Sequence, residues 1–142
     1  MIDRHGEDIV AAVKEATGGR GADVVYDPVG GEAYAKSVKC IAFEGRVVVV
    51  GFASGAIPTP GLNHALVKNY SIVGLHWGLY NTKDPAAVRA CHDELTALAA
   101  KGVVKPLISE RVPMADAARA VQRVADGTST GRIVVLPSGG TR

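Results

Sequence analysis

The sequence of 142 residues predicts an α/β domain built around a largely parallel sheet. The spacing of apolar residues alternates along the chain between a helical period and short strand-like runs. Four consecutive valines, from Val47 to Val50, show no polar alternation. Such a run is typical of a strand that is covered on both faces, as strands of parallel sheets are. Seventeen glycines exceed the usual share of about 7% and lie mainly at the ends of apolar runs, where turns and caps form.

In the amino-terminal part, glycines separate the predicted elements. Gly18 and Gly19 favour a left-handed cap after the first helix, Gly30 and Gly31 close the first strand, and Gly45 is expected to stop the second helix. The predicted elements are a helix over 7–17, a strand over 22–29, a helix over 32–42, a strand over 47–50, a short helix over 62–68 and a strand over 70–75.

In the carboxy-terminal part, Asp84 and Pro85 form a good helix start, with aspartate as the cap and proline in the first helical position. This helix is expected to run to Gly102, and its inward residues are predicted to be Val88, Cys91, Leu95 and Leu98. A strand over 107–112, a helix over 114–126 and a strand over 132–136 follow. The inward residues of the second helix are predicted to be Ala117, Val121, Val124 and Ala125.

Composition argues against several classes of protein. A net charge of +2 without a basic block argues against nucleic-acid binding. No apolar run approaches 18 residues and the amino terminus has no signal-peptide pattern, so no membrane association and a cytoplasmic location are expected. Cys40 and Cys91 lack metal-ligand spacing and are predicted to be buried thiols, with a disulfide as the alternative. The four histidines do not form a metal-binding set.

Two strand ends carry glycines in the same way, within residues 27–31 and residues 51–55. Because ligands of open α/β sheets bind beyond the carboxyl ends of the strands, this repetition favours a binding edge. Glycine there allows a backbone to approach a ligand that a Cβ atom would repel. The alternative is that these glycines only form turns between strand and helix.

The run GGRGADVVYDPVGGEAYAKSVKCIAFEGRVVVVGFASG, followed by NYSIVGLHWG and the closing TGRIVVLP, resembles the medium-chain dehydrogenase/reductase superfamily. Within this superfamily the sequence is most similar to the zinc-independent NADPH:quinone oxidoreductase branch. The resemblance extends over nearly the whole chain and rests on the order and spacing of the motifs. It implies a partial doubly wound, Rossmann-like sheet containing strands four, five and six of the family's order, followed by a carboxy-terminal strand–helix–strand.

The resemblance also implies a division of the chain. Residues 1–105 would form an incomplete coenzyme-binding domain, residues 106–137 the segment returning to the catalytic domain, and residues 138–142 a tail. The family's glycine-rich phosphate loop would precede Met1, together with the strand that distinguishes NADPH from NADH. The resemblance implies NADPH as the coenzyme, with NADH as the alternative because the deciding strand would precede Met1.

The site residues are implied by the resemblance in the same way, and no catalytic side chain is assigned. The family places the second glycine loop beside the nicotinamide and the residues after the last strand beside the acceptor. Phe52 as an ordinary core aromatic residue and Trp77 as an interface residue are the alternatives. The expected coenzyme-binding residues are Gly30, Gly51, Phe52, Ala53, Ser54, Leu75, His76, Trp77 and Arg132.

Hydride transfer from NADPH to a quinone or similar α,β-unsaturated carbonyl is the implied reaction. Relatives pair their last strand across a twofold axis, so a homodimer is expected through the edge strand from Tyr70 to Leu75. A complementing amino-terminal half would supply the remaining coenzyme contacts. The alternative is a non-catalytic remnant that dimerises or contacts a nucleotide.

Overall fold

A computed structural model describes residue 2 and residues 6–137 of the chain, which forms two compact units, Met1–Pro85 and Ala86–Arg142. The elements of the first unit are α1 (Ile9–Ala16), β1 (Ala22–Asp27), α2 (Gly31–Ser37), β2 (Ile41–Val49), α3 (Leu62–Lys68), β3 (Ser71–Gly74), a 3₁₀ turn (Trp77–Leu79) and α4 (Tyr80–Lys83). Helix α5 (Pro85–Ala100) begins at the boundary. The second unit continues with β4 (Ile108–Pro113), a 3₁₀ turn (Met114–Asp116), α6 (Ala117–Ala125) and β5 (Arg132–Leu136).

Both sheets are parallel, which confirms the predicted fold class. The first unit holds a three-stranded sheet in the order β1-β2-β3, and the second a two-stranded sheet of β4 and β5. In the first sheet Val25 pairs with Val47, which in turn pairs with Ile72. The predicted tail, residues 138–142, lies outside the described residues, and the predicted domain limit at residue 105 stays a prediction.

Helix α1 starts two residues after the predicted start at residue 7 and ends one residue before the predicted end at residue 17. The Asp8 carboxylate caps the first turn by accepting hydrogen bonds from the backbone N–H groups of Val10 at 2.9 Å and Ala11 at 3.2 Å. At the other end Gly18 and Gly19 adopt φ values of 59° and 85°, so the chain leaves the helix in the left-handed conformation.

The second helix is shorter than the predicted range of 32–42, so the predicted carboxy-terminal end was wrong. Helix α2 stops at Ser37, and Ile41 already belongs to β2. Gly45 therefore lies inside a strand and does not stop a helix. The reason is tertiary: the Ala22 N–H donates to the Cys40 carbonyl at 2.8 Å, so β1 extends its pairing to this segment.

A small core lies beside the centre of the first sheet. Val47 is completely buried, as its place in the valine run predicts. The buried cluster comprises Tyr34, Ile41, Val47 and Tyr70. Cys40 is buried as predicted, and burial raises the pKa of its thiol. The prediction for Cys91 was wrong, since its side chain is exposed.

The inward faces of the later helices differ from their predictions. In α5 Leu95 is exposed. In α6 the predicted inward residues Val121 and Val124 are 67% and 58% exposed, and Ala120 is the buried one. On the same side of α6 as Ala120, Arg123 forms an ion pair with Glu110 on β4.

The segment after β3 was not predicted to be helical, yet it forms the 3₁₀ turn and α4. These elements have three and four residues, which is too short for an apolar period to appear in the sequence. In the part of the chain that the structure describes, no helix has both the length and the apolar character needed to cross a membrane.

Candidate functional site

The candidate site lies at the carboxyl edge of the three-stranded sheet. Because the strands are parallel, β1, β2 and β3 end at the same edge, at Asp27, Val49 and Gly74. We call residues 28–30 the first exit loop, residues 50–56 the second exit loop and residues 75–79 the third exit loop. The two glycine-bearing strand ends predicted from the sequence are the first and second exit loops.

Backbone hydrogen bonds connect the first and second exit loops. The second exit loop donates to the first from Ala53 N–H to the Pro28 carbonyl at 3.0 Å, and from Ser54 N–H to the Val29 carbonyl at 3.0 Å. The Ser54 hydroxyl adds a bond of 2.7 Å to the same Val29 carbonyl. The first and second exit loops therefore form one connected structure, in which Ala53 and Ser54 act as connectors.

The carboxyl group of Asp27, the last residue of β1, holds the first exit loop by hydrogen bonds. Its side chain is buried, with the residue only 4% exposed, and Oδ1 accepts the N–H groups of Val29 and Gly30, each at 2.9 Å. Its other oxygen, Oδ2, is buried and has no hydrogen-bond partner within the described residues; the same holds for the Tyr34 hydroxyl. Burial raises the pKa of Tyr34, which stays a neutral phenol at physiological pH. Sequence reasoning did not identify Asp27 as important for the site.

Gly30 is held in a conformation that other residues rarely adopt. Its φ is 70° and its ψ is −157°. A Cβ atom at this position would lie 2.8 Å from the Ala56 carbonyl oxygen and 2.9 Å from Cδ1 of Phe52. Gly30 therefore allows close packing between the first and second exit loops, and it positions the Phe52 ring.

A cavity of about 620 Å³ opens between the second and third exit loops. Its volume lies within the usual range of ligand pockets. Of its nine lining residues only His76 and Tyr80 have polar side chains, so the wall is largely apolar. The lining residues are Val49, Val50, Gly51, Phe52, Gly74, Leu75, His76, Leu79 and Tyr80.

Four of the predicted residues, Gly51, Phe52, Leu75 and His76, line this cavity together. Trp77 stands beside it, with its ring stacked on that of Tyr80 at a centroid distance of 5.2 Å. Leu79 and Tyr80 were missed by sequence reasoning, because only the unpredicted 3₁₀ turn and α4 bring them back to the sheet edge.

A second, smaller cleft of about 300 Å³ lies on the other side of the first exit loop. It contains the predicted residues Gly30 and Ser54, and its rim carries an ion pair of 2.9 Å between Glu32 and Lys36. The hydrogen bond from Lys36 lowers the pKa of the Glu32 carboxyl group.

Arg132 belongs to the second unit, where it opens β5 and its backbone N–H donates to the Leu107 carbonyl at 2.8 Å. Its side chain is exposed. The coenzyme-binding role predicted for Arg132 stays a prediction, as do the roles of the other predicted site residues.

The residues of the large cavity fit the nicotinamide end of a coenzyme. The reduced nicotinamide ring is nearly flat and uncharged and carries one carboxamide group, so it needs close backbone approach and a slot free of carboxylates and strong bases. Gly51 and Gly74 allow the close approach, and the lining has no Asp, Glu, Lys or Arg side chain. Among residue 2 and residues 6–137, no group of three or more His, Cys, Asp or Glu side chains is arranged to hold a metal ion.

Comparison with known proteins gives a consistent relationship. Residues 1–135 match the family described as zinc-binding dehydrogenase. The chain is 40% identical over 135 residues to the quinone oxidoreductase-like protein 2 homolog of Nematostella vectensis, covering 94% of this chain and 37% of that protein. It is 34% identical over 144 residues to a quinone oxidoreductase of Pseudomonas aeruginosa, covering 96% of this chain and 42% of that protein.

Solved structures show the same fold. The Escherichia coli quinone oxidoreductase complexed with NADPH superposes with a TM-score of 0.82 at 29% identity, covering 96% of this chain and 42% of that one. The chain thus spans about two fifths of the length of the relatives it matches. Because the family match covers residues 1–135 and the solved structures share the fold, the chain belongs to the zinc-binding dehydrogenase family of the medium-chain dehydrogenase/reductase superfamily and resembles the carboxy-terminal part of its quinone oxidoreductases.

Proposed function

We propose that this chain provides the nicotinamide-binding portion of an NADPH-dependent oxidoreductase. The observation that carries the proposal is the largely apolar cavity at the ends of β2 and β3, lined by residues of the second and third exit loops. Its relatives named as quinone oxidoreductases, one of them solved with NADPH, support the choice of coenzyme and reaction. The acceptor class that we propose is a quinone or similar α,β-unsaturated carbonyl.

In the proposed reaction NADPH supplies a hydride, and the acceptor also takes up one proton, so that a quinone becomes a hydroquinone. The contribution of this chain is to position the reactants. The backbone of Gly51 allows close approach, while Phe52 and Leu75 exclude water from the ring. His76 is the polar side chain of the third exit loop nearest to β3, and solvent or this group would supply the proton.

The first test is an equilibrium titration of the purified chain with NADPH, followed by nicotinamide fluorescence. We expect saturable binding, and we expect Gly51→Val to weaken it about ten-fold or more because the added side chain occupies ligand space. A Cβ atom at Gly51 would meet only the Pro28 carbonyl oxygen, at 3.4 Å, and far-ultraviolet circular dichroism checks that the larger valine side chain leaves the variant folded. Ala86→Val, on exposed surface in α5, is the matched control and should bind as the unmodified chain does.

Titration with NADH under the same conditions compares the affinities of the chain for the two coenzymes.

Absence of saturable binding up to millimolar NADPH would contradict the proposal for this chain alone. That result would favour the second candidate function, a non-catalytic module that dimerises or contacts a nucleotide. The chain's span of about two fifths of its relatives is the observation behind this candidate. Binding without NADPH oxidation in the presence of a quinone would also support it.

We further propose a homodimer through the edge strand β3. One side of β3 has no strand neighbour among the described residues, and Ile72 and Val73 are exposed. Unpaired, apolar edge strands readily pair with a second chain. Helix α3, which precedes β3, also exposes apolar side chains, namely Leu62, Leu66 and Val67.

The dimer predicts a specific effect of charge on this edge. Val73→Lys is expected to shift the sedimentation coefficient at micromolar concentration from that of a dimer to that of a monomer, because lysine on an edge opposes pairing. Val24→Lys, on the opposite edge strand β1, is the control and should leave the dimer intact. A monomeric unmodified chain, or dissociation by Val24→Lys alone, would contradict the proposal.

The other edge of the sheet suits a different partner. On β1, Val24 and Tyr26 are 53% and 65% exposed. We propose that a complementing amino-terminal segment, within a longer polypeptide or as a separate one, covers this edge and supplies the remaining coenzyme contacts. The coverage of about two fifths of the relatives supports this arrangement.

A further inference from the structure

We infer that Tyr80 is a specificity-determining residue for the acceptor, and that with Trp77 it forms an aromatic wall that selects flat, conjugated ring carbonyls over aliphatic ones. We call this pair the aromatic wall. The inference rests on the proposed function, because it assigns the acceptor side of the same cavity.

The first support is the geometry of the pair. The rings of Trp77 and Tyr80 are 5.2 Å apart between centroids with an interplanar angle of 30°, so they pack as one stacked unit. Tyr80 lines the cavity directly. The stack limits the rotamers of Tyr80, so an aromatic surface at the cavity is already organised before a ligand binds.

The second support is how the wall is held. Trp77 begins the 3₁₀ turn and Tyr80 begins α4, and the turn is closed by a hydrogen bond of 3.0 Å from the Leu79 N–H to the His76 carbonyl. The Thr82 hydroxyl donates to the Leu79 carbonyl at 2.9 Å, which ties α4 to the turn. Both residues of the aromatic wall therefore belong to a short segment whose conformation is fixed by hydrogen bonds.

The third support is the chemistry of the cavity. A further aromatic residue, Phe52, lines the same cavity from the second exit loop. The only polar side chains of the lining are His76 and Tyr80, and within the described residues neither side chain forms a hydrogen bond. Aromatic surface and two unengaged polar groups suit a flat ring whose carbonyl oxygens accept hydrogen bonds.

The experiment uses the fact that Trp77 is the only tryptophan of the chain, so intrinsic tryptophan fluorescence reports on this wall. The full chain is titrated with 2,3-dimethyl-1,4-naphthoquinone, a flat dicarbonyl without a free ring position for thiol addition, which matters because Cys91 is exposed. The aliphatic ketone 2-nonanone is then tested as a competitor. We expect saturable quenching by the quinone and about ten-fold weaker binding of 2-nonanone.

Tyr80→Leu removes the ring and is expected to raise the dissociation constant of the quinone about ten-fold, which abolishes the preference over 2-nonanone. Tyr80→Phe keeps the ring and should retain most of the preference. The matched control is Tyr26→Leu, which removes an exposed tyrosine from β1. Far-ultraviolet circular dichroism confirms that each variant is folded; if Tyr80→Leu does not fold, Tyr80→Phe and the competition with the unmodified chain still decide.

NADPH binding, followed by nicotinamide fluorescence, separates this inference from the proposed function. We expect NADPH affinity to change less than about three-fold in Tyr80→Leu. Equal loss of NADPH and quinone binding would overturn the inference, since the wall would then serve the coenzyme. NADPH binding without quinone quenching, or equal affinity for quinone and 2-nonanone, would overturn it while leaving the proposed coenzyme site intact.

Discussion

Replacing Gly30 with alanine is expected to lower the free energy of unfolding by about 4 kcal/mol and the melting temperature by more than about 10 °C. Two effects add at this position. An alanine must adopt the positive φ of 70°, and its Cβ would lie 2.8 Å from a backbone oxygen, that of Ala56, and 2.9 Å from the Phe52 ring. Because a backbone carbonyl cannot move aside as a flexible side chain does, the second exit loop must shift.

Gly55→Ala is the control for Gly30→Ala. Gly55 lies in the second exit loop with a φ of 78°, but a Cβ atom there meets nothing within 4 Å. We expect it to lose only about 1 kcal/mol, from backbone strain alone. Thermal denaturation measures both variants, and NADPH titration should show weaker binding in Gly30→Ala because Phe52 is displaced. Equal destabilisation by the two variants would show that the close approach of the loops contributes nothing.

Replacing Asp27 with alanine is expected to cost about 3 kcal/mol, or roughly 10 °C in melting temperature. The substitution leaves the N–H groups of Val29 and Gly30 without the acceptor that now lies 2.9 Å from each. Water cannot easily replace the carboxylate as the acceptor for these N–H groups, since Gly30 is buried. The first exit loop would loosen, and with it the carbonyls that hold Ala53 and Ser54.

Asp27→Asn separates the hydrogen bonds from the charge. The amide oxygen still accepts both N–H groups, so we expect this variant to lose less than about 1 kcal/mol and to retain NADPH binding. Asp23→Ala is the surface control: Asp23 lies on the same strand, is exposed and pairs only with exposed Arg20, so no measurable change is expected. If Asp27→Asn were as unstable as Asp27→Ala, the role of Asp27 in holding the loop would be contradicted.

Local chemistry made much of the first unit predictable. The Asp8 cap and the two glycines after α1 define that helix without help from the rest of the chain. The four valines predict a strand that is covered on both faces, and the structure bears this out only for Val47, which is completely buried, whereas Val48, Val49 and Val50 are half-buried. The same local signals predict α3, whose bounds of Leu62–Lys68 match the sequence-based prediction.

The failures of prediction have a common cause. Cys40 and Ile41 fit a helical period, yet they pair with β1, so a long-range hydrogen bond overrode the local pattern. On α6 the period alone favours Val121 and Val124 as the inward face, but the structure buries Ala120 and leaves both valines exposed. A period can indicate that a helix has an apolar face, but the contacts of its neighbours decide which face is buried.

The sequence by itself determined the parallel α/β class, the alternation of elements and the two glycine-bearing strand ends, because propensity, periodicity and glycine placement are local properties. Only the tertiary structure decided that Gly51, Phe52, Leu75 and His76 share one cavity. It alone brought Tyr80 to that cavity through a turn too short to have a period, and it alone revealed that buried Asp27 holds the first exit loop. These relationships depend on which strands are neighbours and where their ends meet, and strand neighbours are set by packing between residues far apart in the chain.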